Sequence, residues 1–247
     1  MIKDFEYIIK KLFISEKYLL KKRLKRAIQN NYEKELSIVD HFKDKSKEAI
    51  DVGVYRGVYS YKLAKEFNKI HSFEPNPLLY PYLKKYLTQI IPNMTLYNYA
   101  LSNKNEIANL KIPRRGQSIF KNNIEEIYKL GCATIHENNN FEKYNNYEVQ
   151  CKKLDDVIND KEISFIKIDV EGHELNVIEG AINIINKYKP TLLVEIEEKH
   201  TKKPNSYVIN EIKNYGYNVF FLENKKIKKI DDEIIFDKER NFIFISS

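Results

Sequence analysis

A cluster of titratable residues follows an apolar strand pattern at Ile166 to Glu174, which reads IKIDVEGHE. Ile166 and Ile168 are β-branched and predict a strand. Four side chains that can bind or release a proton then occur within six positions: Asp169, Glu171, His173 and Glu174. Ionised carboxylates are costly to bury without partners. The cluster therefore predicts either a functional site beyond the strand or the first turn of a helix, where acids favourably meet the helix dipole.

A second candidate site lies at Asp51 to Gly57, DVGVYRG, between a predicted strand and a predicted helix. The dinucleotide fingerprint G-x-G-x-x-G requires a second glycine where this chain has Tyr55, because the backbone must approach a pyrophosphate there. The loop therefore favours a nucleoside ligand without phosphates, and S-adenosylmethionine (SAM) is such a ligand. Asp51 would face its cationic methionine end, although a helix cap or turn is the structural alternative.

Glu74 ends the second predicted strand, about 20 residues after this loop. A carboxylate at that place can accept hydrogen bonds from both ribose hydroxyls of a nucleoside. A solvated strand end is the structural alternative. The combination of the loop and the acid makes nucleoside binding the favoured interpretation.

Strand and helix patterns alternate through most of the chain. Predicted strands cover residues 49–53, 69–74, 95–101, 165–170, 191–197, 218–222 and 242–246, with the last two expected as a hairpin. Predicted helices cover residues 55–67, 77–87, 171–188 and 206–215. This alternation predicts an α/β fold in which helices cover both faces of a mostly parallel sheet. Ligands of such sheets bind beyond the carboxyl ends of the strands.

The predicted organisation is an N-terminal helical extension, residues 1–45, followed by one domain, residues 46–247. The basic run Lys21 to Arg26, KKRLKR, is typical of the solvated face of a helix that packs on the domain. A membrane-surface helix or a dimer contact is the functional alternative. Residues 113–147 break the alternation and predict a substrate-covering insertion, with disorder as the alternative.

The composition indicates a globular protein, with 43% hydrophobic and 31% charged residues. A net charge of +7 favours anionic substrates, nucleic acid or an anionic membrane surface. No run approaches the roughly 18 apolar residues of a membrane span, and the N-terminus lacks the pattern of a signal peptide. Cys132 and Cys151 have no metal-ligand spacing, which indicates reduced thiols and a cytoplasmic protein.

Several segments together resemble, in order, the FkbM family of SAM-dependent methyltransferases. They are AIDVGVYRGVYS, HSFEPNP, NYALSN, KKLDDVI, FIKIDVEGHELNVIEGA, KPTLLVEIE and a final GY before the closing strand, between about Ala49 and Val219. The resemblance implies a Rossmann-like class I methyltransferase with a seven-stranded, mostly parallel sheet of order 3-2-1-4-5-7-6. It also implies methyl transfer from SAM, usually to a hydroxyl oxygen of a sugar or natural product.

The resemblance implies a set of cofactor-binding residues. In chain order they are Asp51, Gly53, Tyr55, Gly57, Glu74, Asn76, Asn98 and Ala100. Glu74 would bind the ribose, and Asn98 and Ala100 lie where adenine contacts are expected. Tyr55 departs from the family pattern, which often has asparagine there or at the neighbouring position.

Methyl transfer to oxygen requires an aligned acceptor hydroxyl and a base that removes its proton. His173 suits this role because its unperturbed pKa of about 6.5 leaves it mostly neutral. Asp169 lies at the strand end where the acceptor should approach, and Glu171 or Glu174 could orient the imidazole. A purely structural histidine is the alternative.

A divalent cation is a second way to activate the hydroxyl. Asp169 and Glu195 would end neighbouring strands, and their carboxylates with a substrate hydroxyl would suit Mg²⁺ or Mn²⁺. The metal would lower the hydroxyl pKa, and Glu195 would then also be a substrate-binding residue.

The acceptor is expected to be a sugar, and a nucleotide-activated sugar for a surface or capsular polysaccharide fits the positive charge. Arg114 and Arg115 could form charge-assisted bonds to its diphosphate, or could simply be solvated. The alternatives are an RNA or protein methyltransferase and a non-catalytic SAM-binding or membrane-surface protein. Nucleic acid is not an expected partner, because no separate nucleic-acid module is evident. An oligomer is compatible with the sequence.

Overall fold

The computed structural model describes residues 15–113, 133–136, 144–159, 161–230, 236 and 238–246. Its strands are β1 (Asp44–Val52), β2 (Phe67–Phe73), β3 (Met94–Tyr97), β4 (Ala100–Leu101), β5 (Glu106–Pro113), β6 (Tyr144–Lys152), β7 (Ile163–Ile168), β8 (Thr191–Glu195), β9 (Tyr217–Glu223), β10 (Lys226–Lys229) and β11 (Asn241–Ser246). Eight of them form the central sheet in the order β3-β2-β1-β7-β8-β11-β9-β10.

Short helices connect these strands. They are α1 (Glu16–Gln29), α2 (Val58–Glu66), α3 (Tyr80–Tyr82, continued by a π-helical turn at Leu83–Leu87), α4 (Leu154–Val157), α5 (Glu174–Glu179), α6 (Ile182–Tyr188), α7 (Glu198–Thr201) and α8 (Asn205–Lys213). A 3₁₀ helix at Lys34–His41 leads from α1 into the sheet.

The core lies on both faces of the sheet, as the uninterrupted apolar strands predict. On one face, Ile166 and Ile168 of β7 pack with Val177 of α5 and Ile185 of α6. On the other face, Phe165 joins the buried residues of α1, α2 and α3. Because successive strand residues point to opposite faces, Lys167 must share the second face with Phe165.

The predicted fold class is confirmed, because β3, β2, β1, β7 and β8 run parallel in the predicted order and β11 is antiparallel to its neighbours. The predicted count of seven strands is wrong, since β10 adds an eighth at the edge. The turn at Asn224 and Lys225 has positive φ at both residues, a geometry that closes a tight hairpin between β9 and β10. The expected hairpin between β9 and β11 is therefore replaced by this one, although β9 and β11 do pair.

Two predicted elements are divided in the structure. The strand expected at residues 95–101 separates into β3 and β4, and β4 belongs to a small second sheet of order β4-β6-β5. The helix expected at residues 171–188 begins only at Glu174 and breaks around Gly180. A Cβ at Gly180 would collide with the Ser102 carbonyl, so the loop after β4 approaches this break closely.

The second sheet carries the two ends of the predicted insertion, because β5 ends at Pro113 and β6 begins at Tyr144. Within the insertion, Ala133 to His136 lie among the described residues. Thr134 exchanges two backbone hydrogen bonds with Lys111 and donates its hydroxyl to the Glu171 carbonyl at 2.8 Å. This part of the insertion is thus attached to the loop that follows β7.

Helix α1 packs on the domain through Leu20, Leu24 and Ala27, which are buried. Its first turn is capped by Ser15, whose hydroxyl accepts a hydrogen bond from the Tyr18 backbone. Among the helices in the described part of the chain, none combines the length and the apolar character needed to cross a bilayer.

Candidate active site

The loop after β1 approaches the end of β7 so closely that only glycine fits at its first turn. Gly53 has φ +85°, and a Cβ there would collide with the backbone carbonyl of Asp169. The Asp169 backbone N–H in turn donates to the Val52 carbonyl at 3.1 Å. The two predicted sites are therefore brought together at the carboxyl end of the sheet, as parallel strand order requires.

Glu74 follows β2 and is held from two sides by backbone N–H groups. Its two carboxylate oxygens accept hydrogen bonds from the Tyr55 and Asn76 backbones, at 2.9 and 3.0 Å. Burial raises the pKa of Glu74 to about 7, against the opposing effect of these two hydrogen bonds. The carboxylate is thereby fixed in one orientation at the cavity wall.

A cavity with an empty volume of about 670 Å³ opens at this place and is called the first cavity below. Its polar wall contains Glu74, Asp169, Glu171 and His173. Its apolar wall is formed by Phe73, Leu79, Tyr99, Ala100 and Ile135. This mixture of an apolar wall and a few polar groups is typical of a small-molecule site. This lining fits SAM, because Glu74 could accept hydrogen bonds from the ribose hydroxyls and the apolar wall around Tyr99 and Ala100 could hold the base.

Some predicted cofactor residues line the first cavity and others support it. Gly53, Tyr55, Glu74 and Ala100 line it. Asn76 is buried and braces the turn, because its side-chain oxygen accepts from the Leu78 backbone while its own N–H holds Glu74. Asn98 instead lines a separate groove with Pro75, Pro77 and Tyr80.

Gly57 and Asp51 also lie behind the cavity wall. Gly57 has φ +76°, and a Cβ there would press on the Leu87 side chain, so the glycine permits α2 to pack on α3. Asp51 is fully buried, and its carboxylate accepts a 2.6 Å hydrogen bond from the Ser60 hydroxyl. The structure therefore places the Asp51 carboxylate in the domain interior, and Asp51 is not among the residues that line the first cavity.

Lys167 is the neighbour that explains how Asp51 can be buried. It was not among the site residues predicted from the sequence. It is the register partner of Asp51 on the adjacent strand. Its ammonium lies 3.7 Å from the Asp51 carboxylate and 3.2 Å from that of Asp169, and it donates to the Gly53 carbonyl at 3.0 Å. Burial alone would lower the pKa of Lys167, but Asp169 and Asp51 outweigh burial and raise it.

This lysine could have been suspected from strand alternation. In FIKIDV, Lys167 lies between two buried isoleucines and two residues before Asp169, so it shares a face with that acid. A cation in the centre of a buried strand needs an anionic partner. Asp51, at the end of another buried strand, was the acid in the sequence that could serve as the anionic partner of Lys167.

His173 lines the first cavity but does not contact the acids near it in sequence. Its Nε2 lies 3.0 Å from the Ser102 hydroxyl, on the loop after β4. Burial lowers the pKa of His173 to about 4, and the neighbouring His136 acts in the same direction. The imidazole is therefore neutral at physiological pH and a weak base.

Glu171 and Glu174 have other partners than the expected imidazole of His173. The Glu171 carboxylate lies 2.7 Å from Nε2 of His200, and its backbone has φ +56°. Glu174 is buried and accepts a hydrogen bond from the Gly172 backbone at 2.9 Å, while burial raises its pKa to about 7. Both acids thus stabilise the sharp turn between β7 and α5.

Glu195 ends β8, beside the end of β7, as predicted. Burial raises the pKa of Glu195 to about 8, and the carboxylate of Asp169 adds to this effect. Across the described ranges, no group of three His, Cys, Asp or Glu side chains is arranged to hold a metal ion. The predicted Mg²⁺ or Mn²⁺ site at Asp169 and Glu195 has no support there, and Lys167 supplies the positive charge beside Asp169.

A second cavity, with an empty volume of about 1190 Å³, also borders Asp169. It shares Gly53, Tyr55 and Asp169 with the first cavity. Helix α1 and the segment from Val54 to Tyr59 form its walls, and Lys167 lies at its floor. The predicted substrate residues Arg114 and Arg115 lie outside the described residues.

The sheet order, the glycine loop after β1 and the acid after β2 define the architecture of a class I SAM-dependent methyltransferase. The sequence profile of the methyltransferase FkbM domain matches residues 51–219, more than half of the chain. The chain therefore belongs to the FkbM methyltransferase family. This confirms the resemblance seen in the sequence.

Solved structures with a similar fold include an FkbM methyltransferase from Methylobacillus flagellatus KT, at 17% identity and a TM-score of 0.48. That match covers 81% of this chain and 44% of the other, so this chain spans less than half of that protein's length. An rRNA methylase from Streptococcus thermophilus matches at 12% identity and a TM-score of 0.47, over 86% of this chain and 93% of the other. A TehB-like SAM-dependent methyltransferase from Corynebacterium glutamicum matches at 10% identity and 0.43, over 92% and 98%. No protein of curated function matches the chain.

Proposed function

We propose that this protein transfers a methyl group from SAM to a hydroxyl oxygen of a sugar, carried by a nucleotide-activated or other surface-polysaccharide precursor. The observation that supports this most directly is that Asp169 lines both cavities. A methyl transfer needs the donor on one side of the reacting carbon and the acceptor on the other. Two cavities that meet at one carboxylate provide that arrangement.

When bound, SAM supplies an electrophilic methyl group on a positively charged sulfur. Glu74 would fix the donor by accepting hydrogen bonds from the ribose hydroxyls, since both of its oxygens are already oriented by backbone N–H groups. The acceptor hydroxyl would approach from the second cavity. Asp169 would then take the hydroxyl proton as the oxygen becomes a nucleophile, a role that typically contributes 10²–10⁴-fold in rate.

Lys167 would position Asp169 for this step. Its ammonium holds the Asp169 carboxylate at 3.2 Å and the Gly53 carbonyl at 3.0 Å, so it joins the loop after β1 to the end of β7. His173 faces the first cavity and is bound to Ser102, which suits it to shaping the donor side. Between the two predicted bases, the geometry thus favours Asp169 over His173.

The test is a screen of nucleotide-sugars, free sugars and a short RNA with SAM, read by mass spectrometry as the gain of one methylene unit. We expect a methylated nucleotide-sugar and no product with the Asp169→Asn variant. Methylation of the RNA alone would overturn the sugar assignment. Loss of product in a variant that still binds S-adenosylhomocysteine (SAH) by calorimetry would locate the defect in the transfer step.

A further inference from the structure

The second cavity has a cationic wall that the cofactor motifs do not account for. Leu20, Leu24 and Ala27 of α1 form its apolar part. Arg23 and Arg26 of the same helix line the cavity beside this strip, and Arg56 of the loop before α2 also belongs to the lining. The larger of the two cavities at Asp169 therefore has both an apolar surface and three arginine residues in its lining.

Helical spacing explains why these two arginines face the cavity while other basic residues of α1 do not. Leu20, Arg23, Leu24 and Ala27 follow the i, i+3, i+4, i+7 pattern of one helix face, and Arg26 lies at its edge. Lys21 and Lys22 are exposed on the rest of the helix. The basic run KKRLKR thus contains two residues that line the cavity, Arg23 and the more exposed Arg26, and three lysines that do not.

The charge balance of the cavity favours an anion. Among its described lining residues, Arg23, Arg26, Arg56 and Lys167 stand against Glu33 and Asp169. Lys167 pairs with Asp169 at 3.2 Å, and Glu33 is the other acid of the described lining. The Arg56 guanidinium lies over the Tyr55 ring, 4.7 Å from its centroid, which holds it at the border between the cavities.

Arginine binds phosphate through two parallel N–H···O bonds and is the side chain best suited to a diphosphate. We infer that the second cavity binds the phosphate groups of the methyl acceptor through Arg23, Arg26 and Arg56, with the acceptor sugar directed toward Asp169. This inference rests on the proposed function, because it makes the cavity the acceptor site of the same reaction. It assigns to α1 a role in substrate binding.

Calorimetry of the full chain saturated with SAH tests the inference, with inorganic pyrophosphate as the probe. We expect wild-type protein to bind pyrophosphate, and the double variant Arg23→Gln, Arg26→Gln to bind it at least about tenfold more weakly. The matched control is Lys21→Gln, Lys22→Gln, which removes the same charge from the same helix outside the cavity. It should change pyrophosphate affinity less than about twofold, and both variants should retain SAH affinity.

Equal weakening in both double variants would overturn the inference, because pyrophosphate would then respond only to net charge. No binding to wild-type protein at millimolar pyrophosphate would overturn it as well. A short RNA that displaces pyrophosphate with a steep salt dependence would identify a polynucleotide backbone as the anion and contradict the small-molecule assignment. Pyrophosphate binding without any sugar methylation would leave the anion site standing while the proposed function fails, so the two failures are distinguishable.

Discussion

The two cavities that meet at Asp169 are assembled from the chain in different ways. The first cavity takes most of its polar groups from short segments directly after β1, β2 and β7, each of which carries a recognisable motif. The second cavity combines α1, the start of α2 and a lysine in the middle of β7, which are far apart in sequence. The residues of such a cofactor site fall within short sequence motifs, whereas the residues of the acceptor site are brought together only by the packing of separate elements.

The largest effect on turnover is expected at Asp169, which lines both cavities. Asp169→Asn should lower turnover about 10³-fold, because the amide keeps the shape of the side chain but cannot take the hydroxyl proton. SAH affinity should stay within about threefold of wild type. Steady-state kinetics on the acceptor identified by the screen, together with SAH calorimetry, measure both.

His173→Asn and Glu195→Gln are the matched controls for this prediction. His173 lines the first cavity together with Asp169, and Glu195 is an electrostatic neighbour of Asp169. Each variant removes a titratable group, and each should cost less than about tenfold in turnover. If His173→Asn instead reduces turnover as much as Asp169→Asn while SAH still binds, the base is on the donor side and the division of roles between the cavities is wrong.

The next effect concerns Lys167, which lines the second cavity and pairs with Asp169. Lys167→Met should destabilise the protein by about 3 kcal/mol near pH 8, because Asp51 would be left as a buried charge without its cation. Burial already raises the pKa of Asp51 against the opposing effect of Lys167. Without the lysine, protonation of Asp51 becomes easier, so the loss of stability should shrink as the pH is lowered toward 5. Denaturant unfolding at both pH values measures this.

Lys47→Met is a suitable control for Lys167→Met, because Lys47 forms an exposed ion pair with Glu162 at 3.3 Å. Exposed pairs contribute at most about 1 kcal/mol. Similar losses of stability in the two variants, or a Lys167→Met loss that grows at lower pH, would show that the buried lysine does not neutralise Asp51.

A smaller effect should show that the two cavities bind their ligands independently. Glu74→Ala should weaken SAH binding about 50-fold, since it removes hydrogen bonds to a charged acceptor. Pyrophosphate binding should remain within about twofold of wild type, because Glu74 lines only the first cavity. Calorimetry with each ligand tests this, and a parallel loss of both affinities would mean that the two cavities act as one site.

The sequence predicted most of the sheet and the donor side of the site, for a physical reason. Buried parallel strands are continuous apolar runs, and the turns after them need glycine and acids at fixed spacing, so Gly53 and Glu74 were recognisable. The sequence did not indicate that Asp51 points into the interior, because its partners Ser60 and Lys167 are brought to it only by packing and strand register. For the same reason, the sequence did not indicate that Arg23 and Arg26 line a cavity together with Arg56.

The smallest expected effect is a pH dependence confined to the first cavity. Burial raises the pKa of Glu74 to about 7, so a large share of the protein carries a protonated Glu74 at pH 6. The ionised carboxylate is the better acceptor for ribose hydroxyls. SAH affinity should therefore rise up to about tenfold per pH unit below pH 7 and level off above it.

The stability of the ligand-free protein should depend on pH in the opposite direction. The quantity to compare is the free energy of unfolding of wild type minus that of Glu74→Gln. The folded state binds the Glu74 proton more tightly than the unfolded state, so stability falls as the pH rises from 4.5 to about 7.

Calorimetry with SAH between pH 5.5 and pH 8 measures this dependence, with Glu74→Gln as the control that should give a flat profile. SAH is the suitable probe because it lacks the sulfonium charge of SAM. Burial lowers the pKa of His173 to about 4, so this other cavity residue stays neutral across the window. An equally steep profile in Glu74→Gln would place the titrating group elsewhere. Pyrophosphate titrations of the same two proteins should differ little from each other at every pH, since the arginines of the second cavity keep their charge throughout.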